Sequence, residues 1–313
     1  MPPRDFPVER DDDGGRLEGF LRRRLGLPRT LALKALRKGW VRVDGRRAKA
    51  DVRLASGQVV RITNYAMPIP ALDAPLEPAR PRAAPPAEVA RARASVRLAD
   101  DALVVSSKPA GVVVHAGSGH DWGWIDALAH ALGAATPPVP IGRLDRDTSG
   151  LLVLGRTRAA TRRLFDALRE GTLARTYTAL VLGRPAPEGV IDLPLEKSGE
   201  PGDEQMRPAQ EGQAARTRFR TLSEHGAATL LSVELDTGRT HQIRAHLAAI
   251  GHPLLGDPRY GTDASRALER RLGLERLFLH AGALRLPHPE TGAALALDDP
   301  LPGELARALA ACR

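Results

Sequence analysis

Seven prolines, Pro68, Pro70, Pro75, Pro78, Pro81, Pro85 and Pro86, crowd one short stretch of this chain. Proline lacks the amide that an interior helix or strand residue must donate. The spacing therefore predicts an extended, Pro/Ala/Arg-rich linker over residues 64–95 with no regular element in it. A chain of 313 residues broken there folds as a small part before the break and a large part after it. Charge divides at the same place. Residues 1–65 carry 16 Lys and Arg against 8 Asp and Glu, a net +8, whereas residues 66–313 carry 30 against 29. A positive excess confined to one end fits a module that holds a polyanion better than it fits a uniformly basic protein.

Within the basic part, residues 1–15 contain the run Asp11, Asp12, Asp13, Gly14, Gly15 and are expected to be disordered. Residues 17–25 and 29–38 then place apolar side chains at helical spacing, and Gly39 is a natural stop. Residues 40–43 alternate before Asp44 and Gly45, a hairpin turn signal. Two short helices and a hairpin follow for residues 16–63. Arg22, Arg23, Arg29, Lys34, Arg37, Lys38, Arg46 and Arg47 supply the charge and are the candidate phosphate contacts. The competing reading is a charged helix face without a ligand.

In the large part, residues 141–154 deliver a carboxylate, Asp145, from a turn that feeds an apolar strand. An acid at a sheet rim, flanked by Arg143 and Arg146, suits a nucleophile or base acting on a polyanion. Its plain alternative is a turn-forming Asp. Residues 175–182 alternate into a strand with Tyr177 near its start, equally readable as a core aromatic. Residues 237–246 run from a glycine turn into a segment carrying Arg244, which is either a partner for a buried acid or a phosphate contact. Candidate strands at 102–106, 150–154, 177–182, 217–222 and 229–235 mix with helices near 124–132, 159–169 and 240–249. Without a steady βαβ rhythm, the fold class is α+β.

Several functions are disfavoured. Cys312 is the only cysteine, and His241 and His246 are five apart where four would put two ligands on one helix face, so no metal is expected. Asp236, Thr237 and Gly238 mimic an aspartic protease signature, but such enzymes need two copies and the chain has one. No apolar run approaches a membrane span and no signal region opens the chain, which predicts a cytosolic protein with no membrane partner.

Taken in order, four segments resemble the motifs of the RluA-type pseudouridine synthases. They are Asp101 to His115 with Lys108-Pro-Ala-Gly111 inside it, the Arg143-Leu-Asp145 block, Arg175-Thr-Tyr177, and Arg276-Leu-Phe-Leu-His-Ala281. The resemblance covers roughly residues 96–313. His115-Ala-Gly-Ser-Gly119 followed by Gly123 is most similar to the RluC-like branch, which modifies large-subunit ribosomal RNA, and residues 16–63 resemble the S4 RNA-binding domain. The resemblance implies a mixed, largely antiparallel sheet with a central cleft, and isomerisation of uridine to pseudouridine without a cofactor. It makes Asp145 the catalytic aspartate, Tyr177 the aromatic on the target base and Arg244 the cation paired with Asp145. It also implicates Arg143 in base flipping and Leu277 or Leu279 in lining the pocket. The implied partner is RNA, 23S rRNA or a large-subunit precursor, bound by a monomer, with no DNA. One departure is Gly142, where the family usually has His before Arg-Leu-Asp.

The chemistry is consistent with one carboxylate. The N1–C1′ bond breaks, the uracil turns and C5 joins C1′, so no redox carrier is needed. Asp145 would either attack C1′ or take the 2′ proton. A glycosidase would instead want two carboxyls about 5–9 Å apart. A non-catalytic RNA-binding or ribosome-assembly factor would explain the basic part, but leaves Asp145, Tyr177 and Arg244 without a role.

Deleting residues 1–90 is expected to weaken binding to a long ribosomal RNA fragment and to flatten the dependence of log K on log salt by about 0.7–0.9 per lost phosphate contact. The single-turnover rate on a short, saturating stem-loop should survive. An unchanged salt slope would mean that the basic part does not hold this RNA.

Overall fold

The computed structural model describes residues 4–9, 12–63, 80–117, 119–199 and 205–312, and the chain falls into two compact units, residues 1–80 and 81–313. In the first unit, β1 (Arg4–Pro7) precedes α1 (Leu17–Leu25) and α2 (Arg29–Lys38), followed by β2 (Val41–Val43), β3 (Arg46–Arg47) and β4 (Val59–Ile62). Gly26 and Gly39 close the two helices in the left-handed conformation that glycine adopts without strain. Their apolar faces, Leu17, Phe20, Leu21, Ala32 and Ala35 among them, pack on Val41, Val43, Val60 and Ile62 of a sheet ordered β1-β4-β2-β3. Arg22, Arg23, Arg29, Lys34, Arg37, Lys38, Arg46 and Arg47 are all exposed. Arg22 and Arg29 both approach Glu18, whereas Lys34, Arg37, Lys38 and Arg46 make no ion pair among the described residues.

Two expectations are corrected. The N-terminus is not disordered throughout residues 1–15: Arg4–Pro7 pairs antiparallel with Val59–Ile62, and Val8 is buried. The Asp5 carboxylate there grips Arg61 at 2.6 and 2.7 Å, so an acid in a basic unit helps to fix the strand. The proline-rich stretch is not a linker to its end. Residues 64–79 lie outside the described residues, but α3 (Pro86–Ser95) is a helix with Pro86 in its first turn. Proline is favoured there because that amide has no helical partner in any case, and its fixed φ suits the helix. Ala92 packs into the same core as Trp124 and Leu128, and the Arg82 amide donates to Asp126 at 2.9 Å. A deletion that spares the large unit therefore ends at residue 80, not at residue 90.

The large unit continues with β5 (Val96–Ala99), β6 (Leu103–Lys108), α4 (Trp124–Ala131), β7 (Val139–Pro140), β8 (Ser149–Gly155), α5 (Arg158–Arg169) and β9 (Ala174–Leu182). After these come β10 (Glu188–Asp192), β11 (Leu195–Ser198), β12 (Gln205–Pro208), β13 (Arg216–His225), β14 (Ala228–Leu235) and α6 (Gln242–Ala249). The chain ends with α7 (Asp263–Leu272), β15 (Leu279–Pro287), β16 (Ala294–Asp298) and α8 (Gly303–Ala311). The main sheet is ordered β10-β13-β14-β9-β15-β8-β6-β5, with β16 beside β15 and β7 beside β8, and β11 pairs with β12 apart from it. All its pairings are antiparallel except β15 with β8, which makes the sheet mixed and largely antiparallel. No helix among the described residues is long and apolar enough to cross a membrane.

Strand β8 shows why the sheet has two covered faces. Every one of its residues is buried. Leu152 and Leu154 enter a core with Trp124, Ile243 and Leu247, whereas Leu151 and Val153 enter another with Leu164 and Ala167. A strand covered on both sides reads as a continuous apolar run instead of alternating. The loop before β8 carries Asp145, β15 beside it carries Leu279, and β9 beside β15 carries Tyr177. These three strands lie side by side at mid-sheet.

The short parallel pairing of β8 with β15 sets Gly150 opposite Ala281. Gly150 has φ +113°, and a Cβ there would fall on the backbone of Ala281, 2.6 Å from its amide nitrogen. Gly150→Ala is accordingly expected to lower the unfolding free energy by roughly 3 kcal/mol, from backbone strain plus overpacking. A urea titration that finds less than about 0.5 kcal/mol, the ordinary scatter of neutral substitutions, would contradict this account of the β8–β15 seam.

Candidate active site

The loop between β7 and β8 is fixed from several sides. The Thr148 amide donates to the Asp145 carbonyl at 3.2 Å, closing a turn. At its start, Gly142 sits at φ +77°, and a Cβ there would lie 3.0 Å from the Arg175 guanidinium, which itself donates to the Ile141 carbonyl. Glycine at the position where the resembled family has His is thus matched to a left-handed backbone and a close arginine. From beneath, the Lys108 ammonium donates to the carbonyls of Pro109 at 2.7 Å, Val112 at 2.8 Å and Arg146 at 3.0 Å. Burial pulls the Lys108 pKa down to about 7, with Asp147 and Asp145 opposing. Three carbonyls match the three protons of its charged form.

Asp145 faces a cavity of about 50 Å³ whose lining includes Arg143, Tyr177, His241, Arg244 and Leu279, and Asp145 is the one carboxylate among the lining residues. Asp147, the nearest acid in sequence, is turned to Arg146 at 3.0 Å. A second, larger cavity of about 440 Å³ borders Arg91, Arg97, Lys108 and Arg276. Its cations are already engaged: Arg276 with Glu304 and Ser149, Arg97 with Asp299, Arg91 with Glu88, and Lys108 with its carbonyls. The smaller cavity, which holds an acid, a ring and a cation together, is the candidate site.

Arg244 lies on α6 and is 4 % exposed. Its Nη1 is 3.5 Å from Asp145 Oδ2, an ion pair but a loose one. Its tighter partner is one that the sequence did not single out. Nε and Nη2 both donate to Asp257 at 2.8 Å, and the amides of Arg259 and Tyr260 donate to the same carboxylate at 2.9 and 3.1 Å. Asp257 is fully buried. Burial works against the Arg244 charge, but the hydrogen bonds and charge of Asp257, with Asp145 and Tyr260 adding, outweigh it and push the pKa up. The Tyr260 ring stands 5.2 Å from the guanidinium carbon, within cation–π range. The expected pairing of Arg244 with Asp145 is therefore the free end of a bridge anchored on Asp257.

Tyr177 is almost wholly buried, packed in the core and also on the cavity wall, so its two readings coexist. Burial raises its hydroxyl pKa, with Arg175 opposing, and the phenol stays neutral. Of the two leucines, Leu279 lines the cavity, whereas Leu277 belongs to the core and not to the lining. Arg143 is exposed at the rim, where it donates to Thr240 Oγ1 at 3.2 Å. His241 and Tyr260 are further site residues that sequence reasoning missed. The strained His241 backbone and the Asp257–Tyr260 turn leave no periodic signature, although the segment Gly256-Asp-Pro-Arg-Tyr-Gly261 has turn chemistry.

Residues 102–249 match the RNA pseudouridylate synthase family. The chain is 37% identical over 311 residues to the ribosomal large subunit pseudouridine synthase C of Haemophilus ducreyi, covering 98% of this chain and 95% of that protein. To the Escherichia coli K12 protein of the same name it is 37% identical over 310 residues, 96% and 94% of the two chains. Among solved structures, human RNA pseudouridylate synthase domain containing 4 is similar with a TM-score of 0.59 and 27% identity, over 72% of this chain and 97% of that one.

Removing the bridge should be costly. Arg244→Met leaves the buried Asp257 with backbone donors alone and is expected to lower the unfolding free energy by roughly 3–5 kcal/mol. Chemical denaturation measures it, and a loss below about 1 kcal/mol, within what an exposed ion pair is worth, would show that Asp257 does not depend on this arginine.

Proposed function

Because this chain belongs to the RNA pseudouridylate synthase family, we propose that it isomerises uridine to pseudouridine in large-subunit ribosomal RNA, with Asp145 as the catalytic carboxylate. The observation that carries this reading is a single carboxylate sharing a cavity with Tyr177, Arg244 and Leu279. The reaction breaks and makes one bond each at C1′, and one acid suffices for either route to the freed uracil. Arg244 sets a positive charge 3.5 Å from that acid. Tyr177 offers the flipped base an aromatic face, worth on the order of 1–3 kcal/mol.

A cavity of about 50 Å³ has room for a few waters and not for a nucleoside. Admitting uridine requires a lining side chain to swing outward, and exposed Arg143 does so by giving up its long hydrogen bond to Thr240. Arg143 then fills the gap left by a base whose extraction costs a few kcal/mol. The S4-like first unit holds the RNA through Arg22, Arg23, Arg29, Lys34, Arg37, Lys38, Arg46 and Arg47, whose exposed charge supplies phosphate contacts.

Asp145→Asn is expected to fold, to bind ribosomal RNA fragments with near wild-type affinity and to form no pseudouridine. Pseudouridine mapping of ribosomal RNA from cells with and without the wild-type chain identifies the modified positions. Turnover by Asp145→Asn comparable to wild type would remove Asp145 from the chemistry, and identical maps would remove ribosomal RNA as the substrate.

A further inference from the structure

Among the described residues of the large unit, His241 is the non-glycine residue that adopts a left-handed backbone, with φ +52° and ψ 20° at the N-terminal end of α6. Such a conformation costs a side-chain-bearing residue on the order of 1 kcal/mol or more and persists where surrounding structure enforces it. The imidazole does not use this position to cap the helix. Gln242, the first residue of α6, ties down the preceding turn instead, its Oε1 accepting from the Arg239 amide at 3.0 Å and from Thr237 Oγ1 at 2.8 Å. The strained backbone instead directs the His241 ring onto the cavity wall, with Nε2 4.0 Å from Asp145 Oδ2.

The hydrogen bonds on the other side of the ring favour one tautomer. Tyr260 accepts the Met206 amide at 2.7 Å and lies 3.3 Å from His241 Nδ1, its two hydrogen-bond partners among the described residues. The amide already donates to the phenol oxygen, and Nδ1 is its one partner able to accept among the described residues, so the phenol proton is best used on Nδ1. Nε2 then carries the imidazole proton and points it at the carboxylate. The rings meet edge to face at 89°, which holds this geometry. Arg244 Nη1 approaches the same carboxylate oxygen, Oδ2. Both donors therefore converge on one oxygen and leave Oδ1 to the substrate.

We propose that His241 is a positioning residue: Tyr260 fixes its tautomer, and its Nε2–H, together with Arg244, holds Oδ2 of Asp145 so that Oδ1 faces the reacting sugar. The inference rests on Asp145 being the catalytic carboxylate. The present 4.0 Å separation closes by about 1 Å to reach hydrogen-bonding distance once substrate fills the pocket, as unliganded sites commonly show long contacts that tighten later. Burial supports the neutral ring by lowering the His241 pKa, with Arg244 and Arg259 adding to it and Asp145 and Asp257 opposing.

The test measures single-turnover rate at saturating RNA, and KM separately, in the full-length protein. His241→Leu should lose about 10- to 100-fold in rate, the worth of one hydrogen bond to a charged group, with KM little changed. His241→Gln, whose amide N–H can reach the Nε2 position, should recover most of that loss. Tyr260→Phe keeps the ring beside Arg244 and removes only the hydroxyl. It should slow the wild-type enzyme severalfold, yet cost nothing further when His241 is already Gln, since the amide has no tautomer to fix. A folded His241→Leu with wild-type rate, a Gln variant as slow as Leu, or an undiminished Tyr260→Phe effect in the Gln background would each overturn the proposal. If His241→Leu does not fold, the Gln and Phe variants decide the matter alone. A wild-type protein that makes no pseudouridine would instead strike the functional reading on which this one rests.

Discussion

With both oxygens of Asp257 committed to Arg244 and to two backbone amides, the Arg244 guanidinium has one nitrogen left for the cavity, and that nitrogen faces Asp145. A guanidinium is always charged and binds a carboxylate in a fixed fork, so anchoring two of its nitrogens fixes the direction of the third. A lysine would give a mobile point charge. Burying such a pair is seldom the most stable way to fill a core, because the desolvation of both ions offsets their attraction. Its presence is better explained by what the remaining nitrogen does: it sets a positive charge beside Asp145, the proposed catalytic acid, at the wall of the cavity.

The acid itself is held from three separate segments. Lys108 gathers carbonyls below the loop, Arg175 binds the Ile141 carbonyl at its start, and Ser149, at its end, is bonded to His280 Nδ1 at 2.9 Å and to Arg276 at 3.1 Å. Each anchor comes from a different strand or strand end, so the position of Asp145 is set by the sheet and not by the loop alone. Outer contacts of this kind are what the proposed catalytic role of Asp145 requires, since a reacting group must stay within a small tolerance. The motifs Lys108-Pro-Ala-Gly111 and Arg276-Leu-Phe-Leu-His-Ala281 thereby acquire a shared physical role, as parts of one cradle.

Proline and the acidic start show where local reasoning misleads. Treated only as a breaker, Pro86 ends regular structure; at the first turn of a helix it begins one, because the missing amide costs nothing there. The choice between those outcomes depends on whether Ala92 finds a core to enter, and it does, beside Trp124. Likewise the Asp11–Asp13 run suggests a solvated tail, yet the strand before it has a partner in β4 and an ion pair between Asp5 and Arg61.

What the sequence determined by itself was whatever depends on neighbours along the chain. The helices of the basic unit follow from apolar spacing and from Gly39; the hairpin follows from Asp44 and Gly45; the placement of Asp145 before a buried strand follows from the turn residues and the unbroken apolar run after them. Tyr177 and Arg244 were legible as candidates because their segments have strand and helix patterns, and the likeness of motifs gave them roles. The tertiary structure alone decided that Arg244 is anchored on Asp257, that Tyr260 and His241 join the site, and that Leu279 and not Leu277 reaches the cavity. Ion pairs and tautomer-fixing hydrogen bonds between distant segments follow no period and need no particular composition nearby; they exist only once the sheet has brought those segments together.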